Sequence, residues 1–181
     1  LDSGVKTIEH GLLIQEDTLK KLVDKGAWIV PQSYIVSHEA NDGNPTFADP
    51  IQSAKMDQAR AGSINCFKWS QKYGAKVAWG TDMFGTREAY DNTLLEFKTR
   101  SEYYSNVDQL KQVTSANGEL LAMSNLKHPY PGAKLGVIEK DAYADLLIVD
   151  GNPIDDILVM LDYENNLKLI MKDGVAYKNT L

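Results

Sequence analysis

From residue 5 to residue 100, short apolar runs alternate with longer stretches of helical spacing, and this alternation predicts a parallel sheet covered by helices. Residues 5–10 read as a first strand. Leu19, Leu22 and Val23 then share one face of a helix opened by Glu16 or Asp17 and closed by Gly26. Residues 27–31 (Ala-Trp-Ile-Val-Pro) form a second strand, with Pro31 at its exit where a ladder can end. The polar segment 37–49 is expected to be a lid or substrate loop. Ile51, Ala54, Ala59, Ile64, Phe67 and Trp69 predict one long helix over Pro50–Tyr73 stopped by Gly74, and 76–82 a third strand. Residues 89–104 and 107–122 read as two further helices.

Beyond about residue 124 the pattern changes. Residues 125–132 (Asn-Leu-Lys-His-Pro-Tyr-Pro-Gly) are rich in turn formers, and 135–138, 144–149 and Leu167–Lys172 are β-rich. Asp173-Gly174 between two apolar runs is a strong hairpin signal. The expected organisation is therefore a strand-helix part over 1–124 and a small β module over 125–181.

Composition narrows the possibilities. With 19 basic and 25 acidic residues the net charge is −6, and no basic stripe interleaved with aromatics occurs, so nucleic acid is not an expected partner. The apolar runs are too short to span a membrane, so none is expected as a partner. Hydrophobic residues make up 43% of the chain, enough for a packed core. The single Cys66, beside Phe67 and Trp69, is expected to fill core space rather than act as a nucleophile. Without initiator Met or leader, the start at Leu1 leaves the compartment open between cytoplasm and periplasm.

Two residues carry the chemical interest. Thr-Ile-Glu-His-Gly at 7–11 and Ala-Trp-Gly-Thr-Asp at 78–82 are each a short strand ending in a metal-ligand type, His10 or Asp82. A metal that activates water needs imidazole and carboxylate donors held rigidly at the mouth of a sheet. Taken alone, each has a plain alternative, a hydrogen-bonded structural His and a turn-forming Asp.

With their surroundings the two motifs gain meaning. Ile-Glu-His-Gly, Ile-Val-Pro, Trp-Gly-Thr-Asp, Thr-Ser-Ala-Asn-Gly-Glu-Leu-Leu at 114–121 and the run 136–153 ending Ala-Asp-Leu-Leu-Ile-Val-Asp-Gly-Asn-Pro closely resemble the metal-dependent amidohydrolase superfamily. The match is best to its imidazolonepropionase-like branch, which includes Xaa-Pro dipeptidases. The resemblance implies an α/β fold: the C-terminal part of a TIM-like (β/α)8 barrel, strands six to eight, plus part of a small flanking β-sandwich. It implies His10 as the sixth-strand metal ligand and Asp82 as the eighth-strand ligand and proton shuttle, with a divalent metal, zinc by type, as one or two ions. A full barrel needs about 250 residues, so this chain is expected to be its C-terminal half. The remaining ligands, including a His-x-His pair absent from this sequence, would lie upstream of Leu1. The 181 residues alone are then expected to be inactive.

The implied function is metal-activated hydrolysis of peptide or amide bonds in small peptides or N-acyl amino acids, by a homo-oligomer in full-length form. Alternatives are a cyclic-amide hydrolase and a non-catalytic truncated relative. Gln32, Tyr34 and His38 follow the second strand and are candidates for substrate contact. Met83 and Phe84 could wall a pocket or pack in the core. Arg87 is expected to be solvated, His128 to lie on the surface, and Asp145 and Asp150 to bracket a buried strand.

Overall fold

The computed structural model describes residues 1–83 and 85–181, with Glu88 described by its backbone alone. Two compact units divide the chain, Leu1–Tyr103 and Tyr104–Leu181. The first is built on three parallel strands in sequential order, β1 (Thr7–Glu9), β2 (Trp28–Val30) and β3 (Lys76–Val77). Thr7 stands opposite Trp28, and Trp28 opposite Lys76. The middle strand is wholly buried, as its unbroken Trp-Ile-Val run requires.

Between β1 and β2, helix α1 (Glu16–Asp24) buries Leu19 and Leu22, which lie one turn apart. Its acidic residues stand in the first turn and Lys21 in the last, matching the helix dipole. Segment 37–49, expected as a loop, holds α2 (His38–Asn41), capped by Ser37, and a 3-10 turn over Pro45–Ala48, capped by Asn44. Helix α3 (Pro50–Tyr73) has the predicted bounds. Asp49 Oδ1 accepts from Ile51 N at 2.7 Å, Pro50 occupies the first turn, and Gly74 closes the helix at φ 63°. Only the second half of α3 is buried, through Ser63, Cys66, Phe67 and Ser70, while Ile51 is exposed. At Gly62 a Cβ would lie 1.5 Å from the Leu12 carbonyl oxygen, so the helix backbone rests directly on the β1–α1 loop.

Two further expectations change in this unit. The third strand ends at Val77 rather than Asp82: Ala78 N still donates to Ile29 O, but the Ala78 carbonyl accepts from Arg100, which takes it out of the ladder. The helix expected over 89–104 is α4 (Arg87–Asp91), a 3-10 turn and α5 (Leu95–Arg100).

In the second unit, α6 (Asn106–Lys111) and α7 (Asn117–Ala122) are joined by a π-turn over Gln112–Ala116. The compact units part at 103/104, whereas the sequence pattern divides at 124/125, because these helices pack on the β module. A Cβ at Gly118 would meet Leu135 O at 2.4 Å, and one at Gly136 would meet Thr114 O at 2.3 Å. That contact also explains why 135–138 forms no strand: Gly136 turns at φ 71° to lie against the helix.

The second sheet is antiparallel, in the order β4 (Leu146–Val149), β5 (Leu167–Lys172), β6 (Val175–Asn179), with the short α8 (Tyr163–Asn166) leading into β5. Asp173 (φ 49°) and Gly174 (φ 76°) form the predicted hairpin turn between β5 and β6. Asp145 Oδ1 accepts from Asp173 N at 2.7 Å, and Asp150 pairs with Lys168 at 3.3 Å, so both are structural. The strand they bracket is less buried than expected, with Leu147 51% and Ile148 42% exposed.

Candidate functional site

Because the three strands run parallel, their carboxyl ends open onto one rim, the usual place for chemistry in such sheets. His10 comes directly after β1. Its amide donates to Val30 O at 3.0 Å, and the chain then leaves the sheet through two left-handed residues, His10 at φ 67° and Gly11 at φ 63°. Glycine suits position 11, where a Cβ would fall 2.7 Å from Ile29 Cδ1 and 3.1 Å from Cys66 Sγ on backbone that other side chains adopt only under strain. Asp82, beyond β3, is also left-handed, at φ 54°. Non-glycine residues held this way cost on the order of 1 kcal/mol each and gather at functional sites.

The structure brings the two predicted ligands together. His10 Nδ1 lies 3.7 Å from Asp82 Oδ2, and each side chain is 48% exposed. At that distance they are neighbours rather than hydrogen-bonded partners.

Gln32 supplies the bond. His10 Nδ1 is 2.8 Å from Gln32 Oε1, while Gln32 Nε2 donates to Val30 O at 2.8 Å. The second bond fixes which end of the amide is oxygen, so Nδ1 must be the donor, and in the neutral ring the Nε2 lone pair is left for a ligand. Gln32, a candidate for substrate contact by sequence, is 3% exposed and acts on His10 instead. A Cβ at Gly80 would sit 2.9 Å from Val30 Cγ1 and 3.5 Å from Gln32 Nε2, so glycine lets the β3 exit pass close to this amide.

Behind the rim lies a network that sequence reasoning missed. Glu96 and Arg100 are fully buried and paired at 3.0 Å. The Glu96 carboxylate accepts from Ser33 N at 3.0 and 3.1 Å and from Tyr34 N at 2.7 Å. Arg100 donates to Pro31 O at 2.6 Å and Ala78 O at 3.3 Å, and its guanidinium lies over the rings of Trp79 and Phe67. In sequence this pair is an ordinary i,i+4 helix pair, the kind that usually faces solvent.

Tyr34 is 4% exposed, with its amide given to Glu96, so it packs beneath the rim. His38 stands half-buried at the start of α2 and lines a cavity of about 320 Å³ with Ser33, Arg60, Lys98, Thr99 and Tyr103. Met83 is half-buried, and Phe84 lies outside the described residues. Arg87 is 85% exposed and pairs with Asp91 at 2.8 Å. His128, expected on the surface, is half-buried with Nδ1 enclosed, because its ring packs edge-on toward Tyr130. Cys66 is fully buried, and burial pushes its thiol up to about 11, as suits a core filler. Among the described residues, no three His, Cys, Asp or Glu gather as a metal-binding group, and no helix is long and apolar enough to cross a membrane.

No family profile and no curated protein matches the chain. Solved structures do. The chain is similar to the crystal structure of an amidohydrolase, with TM-score 0.81 and 32% identity over 99% of this chain and 41% of that one. It is similar to a prolidase complexed with N-methylphosphonate-L-proline, with TM-score 0.79 and 31% identity over 98% of this chain and 41% of that one. A. niger ochratoxinase, with TM-score 0.78 at 19% identity over 98% of this chain and 38% of that one, shares the fold. The chain thus spans about two fifths of the length of the solved structures it matches.

Fold and rim together place the chain's resemblance in the amidohydrolase superfamily. Within that class, the likeness runs to the prolidase-like branch.

Proposed function

We propose that the chain is part of a hydrolase of amide bonds that uses a divalent metal, with small peptides or N-acyl amino acids as substrates and Xaa-Pro dipeptides as the narrower class. The observation that carries this reading is that the His10 and Asp82 side chains meet on an open rim, Asp82 Oδ2 lying 3.7 Å from His10 Nδ1, while Gln32 engages Nδ1 and leaves Nε2 for a ligand. By the same reading β1, β2 and β3 are the sixth, seventh and eighth strands of a (β/α)8 barrel, and the second unit is part of a flanking β-sandwich.

The donor set fits such a metal: one neutral imidazole with Nε2 available and one carboxylate, the mixture a borderline cation such as zinc prefers. His10 Nε2 and Asp82 would hold it, with the other ligands supplied by residues outside these 181. When bound, the metal supplies Lewis-acid polarisation of the amide carbonyl and of water. Asp82 takes a proton from the attacking water on a carboxylate oxygen and returns it to the departing amine nitrogen, so the carboxylate is regenerated each cycle. Gln32 keeps the His10 proton on Nδ1 throughout.

The test is Asp82→Asn in the full-length protein, assayed on Xaa-Pro dipeptides and N-acyl amino acids. Loss of a shuttle predicts a fall in kcat on the order of 10²–10⁴. Wild-type turnover by the variant would remove Asp82 from the chemistry.

A further inference from the structure

The rim residues do not hold themselves in place. β2 ends at Val30, and the chain after it must turn while keeping Gln32 aimed at His10. Pro31 cannot donate to a ladder, and the amides of Ser33 and Tyr34 have left the sheet. All of these backbone groups are served by one ion pair on α5. Arg100 binds the carbonyl immediately before Gln32, and Glu96 binds the two amides immediately after it. The same guanidinium holds Ala78 O, four residues before Asp82, and lies over the Trp79 ring. Thr99 adds a 2.6 Å hydrogen bond to the Ser33 hydroxyl, and Ser63 reaches the Gln32 carbonyl from α3 at 2.7 Å. Gln32 is thus fixed at its preceding carbonyl, its own carbonyl and its following amide.

Two fully buried charges are an expensive means of mere stabilisation, because well-packed apolar residues commonly do as well or better. What an apolar pair could not do is bind carbonyls at two strand exits, and the amides that follow one of them, at fixed geometry.

We propose that Glu96 and Arg100 are positioning residues: they act through Pro31, Ser33, Tyr34 and Ala78 to hold Gln32 and the Asp82 loop, and so set the tautomer and placement of His10. The inference deepens the metal-hydrolase reading and rests on it only for the zinc arm of the test. Arg100 transmits to both strand exits at once, so weakening it loosens His10 and Asp82 together.

The experiment uses the full-length protein, with zinc alone as the probe. Arg100→Lys keeps the buried charge but cannot span both Pro31 O and Ala78 O; Glu96→Gln is isosteric and removes one acceptor oxygen. The expected result in the folded variants, checked by circular dichroism, is a smaller Nδ1–H fraction of His10 by ¹⁵N NMR, zinc affinity reduced tenfold or more, and kcat reduced with KM little changed. A His10 tautomer ratio and zinc affinity within twofold of the parent in folded Arg100→Lys would overturn the proposal. Should neither variant fold, the parent itself decides. By reciprocity of linked equilibria, zinc must slow amide exchange at Ser33 and Tyr34 but not at Leu169, and equal rates with and without zinc refute the link. If the parent binds no zinc, the hydrolase reading fails, while the tautomer measurement still judges the positioning role.

Discussion

Replacing Gln32 by Leu removes the side chain that orients His10 while keeping its volume nearly constant. Two hydrogen bonds disappear, from His10 Nδ1 and to Val30 O, each worth about 1 kcal/mol net. Val30 O is not orphaned, since the His10 amide still donates to it at 3.0 Å, and the half-exposed imidazole can take water in place of Gln32. The loss in stability is therefore about 1–2 kcal/mol rather than the larger penalty of a buried unsatisfied group. Metal affinity should suffer comparably or more, because losing a ligand's orienting partner typically costs about 10–100-fold, or about 1.4–2.7 kcal/mol. Gln32→Glu separates the two effects: it keeps an acceptor for Nδ1, while its second oxygen, buried and facing the Val30 carbonyl in place of Nε2, lowers stability in the urea arm without removing the His10 partner. Urea unfolding and zinc titration of both variants in the full-length protein are the assays. Gln32→Leu should bind zinc weakly and Gln32→Glu almost normally. Equal affinity in Gln32→Leu and parent, or an equal fall in both variants, would refute the assignment of Gln32 as the His10 partner.

Three further outcomes are expected. Gly62→Ala places a methyl where the Leu12 carbonyl already stands, 1.5 Å away, and should cost at least about 1–3 kcal/mol in urea unfolding; a neutral result would mean that α3 does not rest on that loop. Cys66, fully buried with its thiol pushed up to about 11, should resist a thiol reagent at pH 8 in the native protein and react stoichiometrically once unfolded. Lys72 first, and then Tyr73, hold the Glu16 carboxyl below its usual 4.5, so its contribution is present above that pH and is lost as pH falls through the depressed value; the stability difference between parent and Glu16→Gln at pH 7 should shrink progressively in urea unfolding as the pH is lowered below 4.5.

What could be read from the chain is what depends on neighbours in sequence. The bounds of α3 come from Asp49-Pro50 and Gly74, local signals for a start and a stop, and the β5–β6 turn comes from Asp173-Gly174 alone. The pairing of His10 with Asp82 is legible because both lie beyond strands of one parallel series, which forces them to one rim. The rest depends on distant partners. Gln32 reads as a candidate for substrate contact because the atom it serves is 22 positions away. Glu96 and Arg100 go unnoticed in the sequence because their backbone partners lie 22–69 positions away. Residues 135–138 have the composition of a strand, yet the nearest backbone is a helix, which offers no ladder.

The left-handed turn at both His10 and Asp82 has a consequence for how this rim can vary. Among side chains other than glycine, that backbone conformation admits chiefly asparagine, aspartate and histidine. These are also side chains able to donate a lone pair to a cation, so the geometry that turns the chain at each of the two residues simultaneously restricts the alphabet to coordinating chemistry. Swapping one for another at either position should preserve the architecture while retuning which cation is preferred, whereas valine or isoleucine there would disturb the main chain before any question of ligation arose.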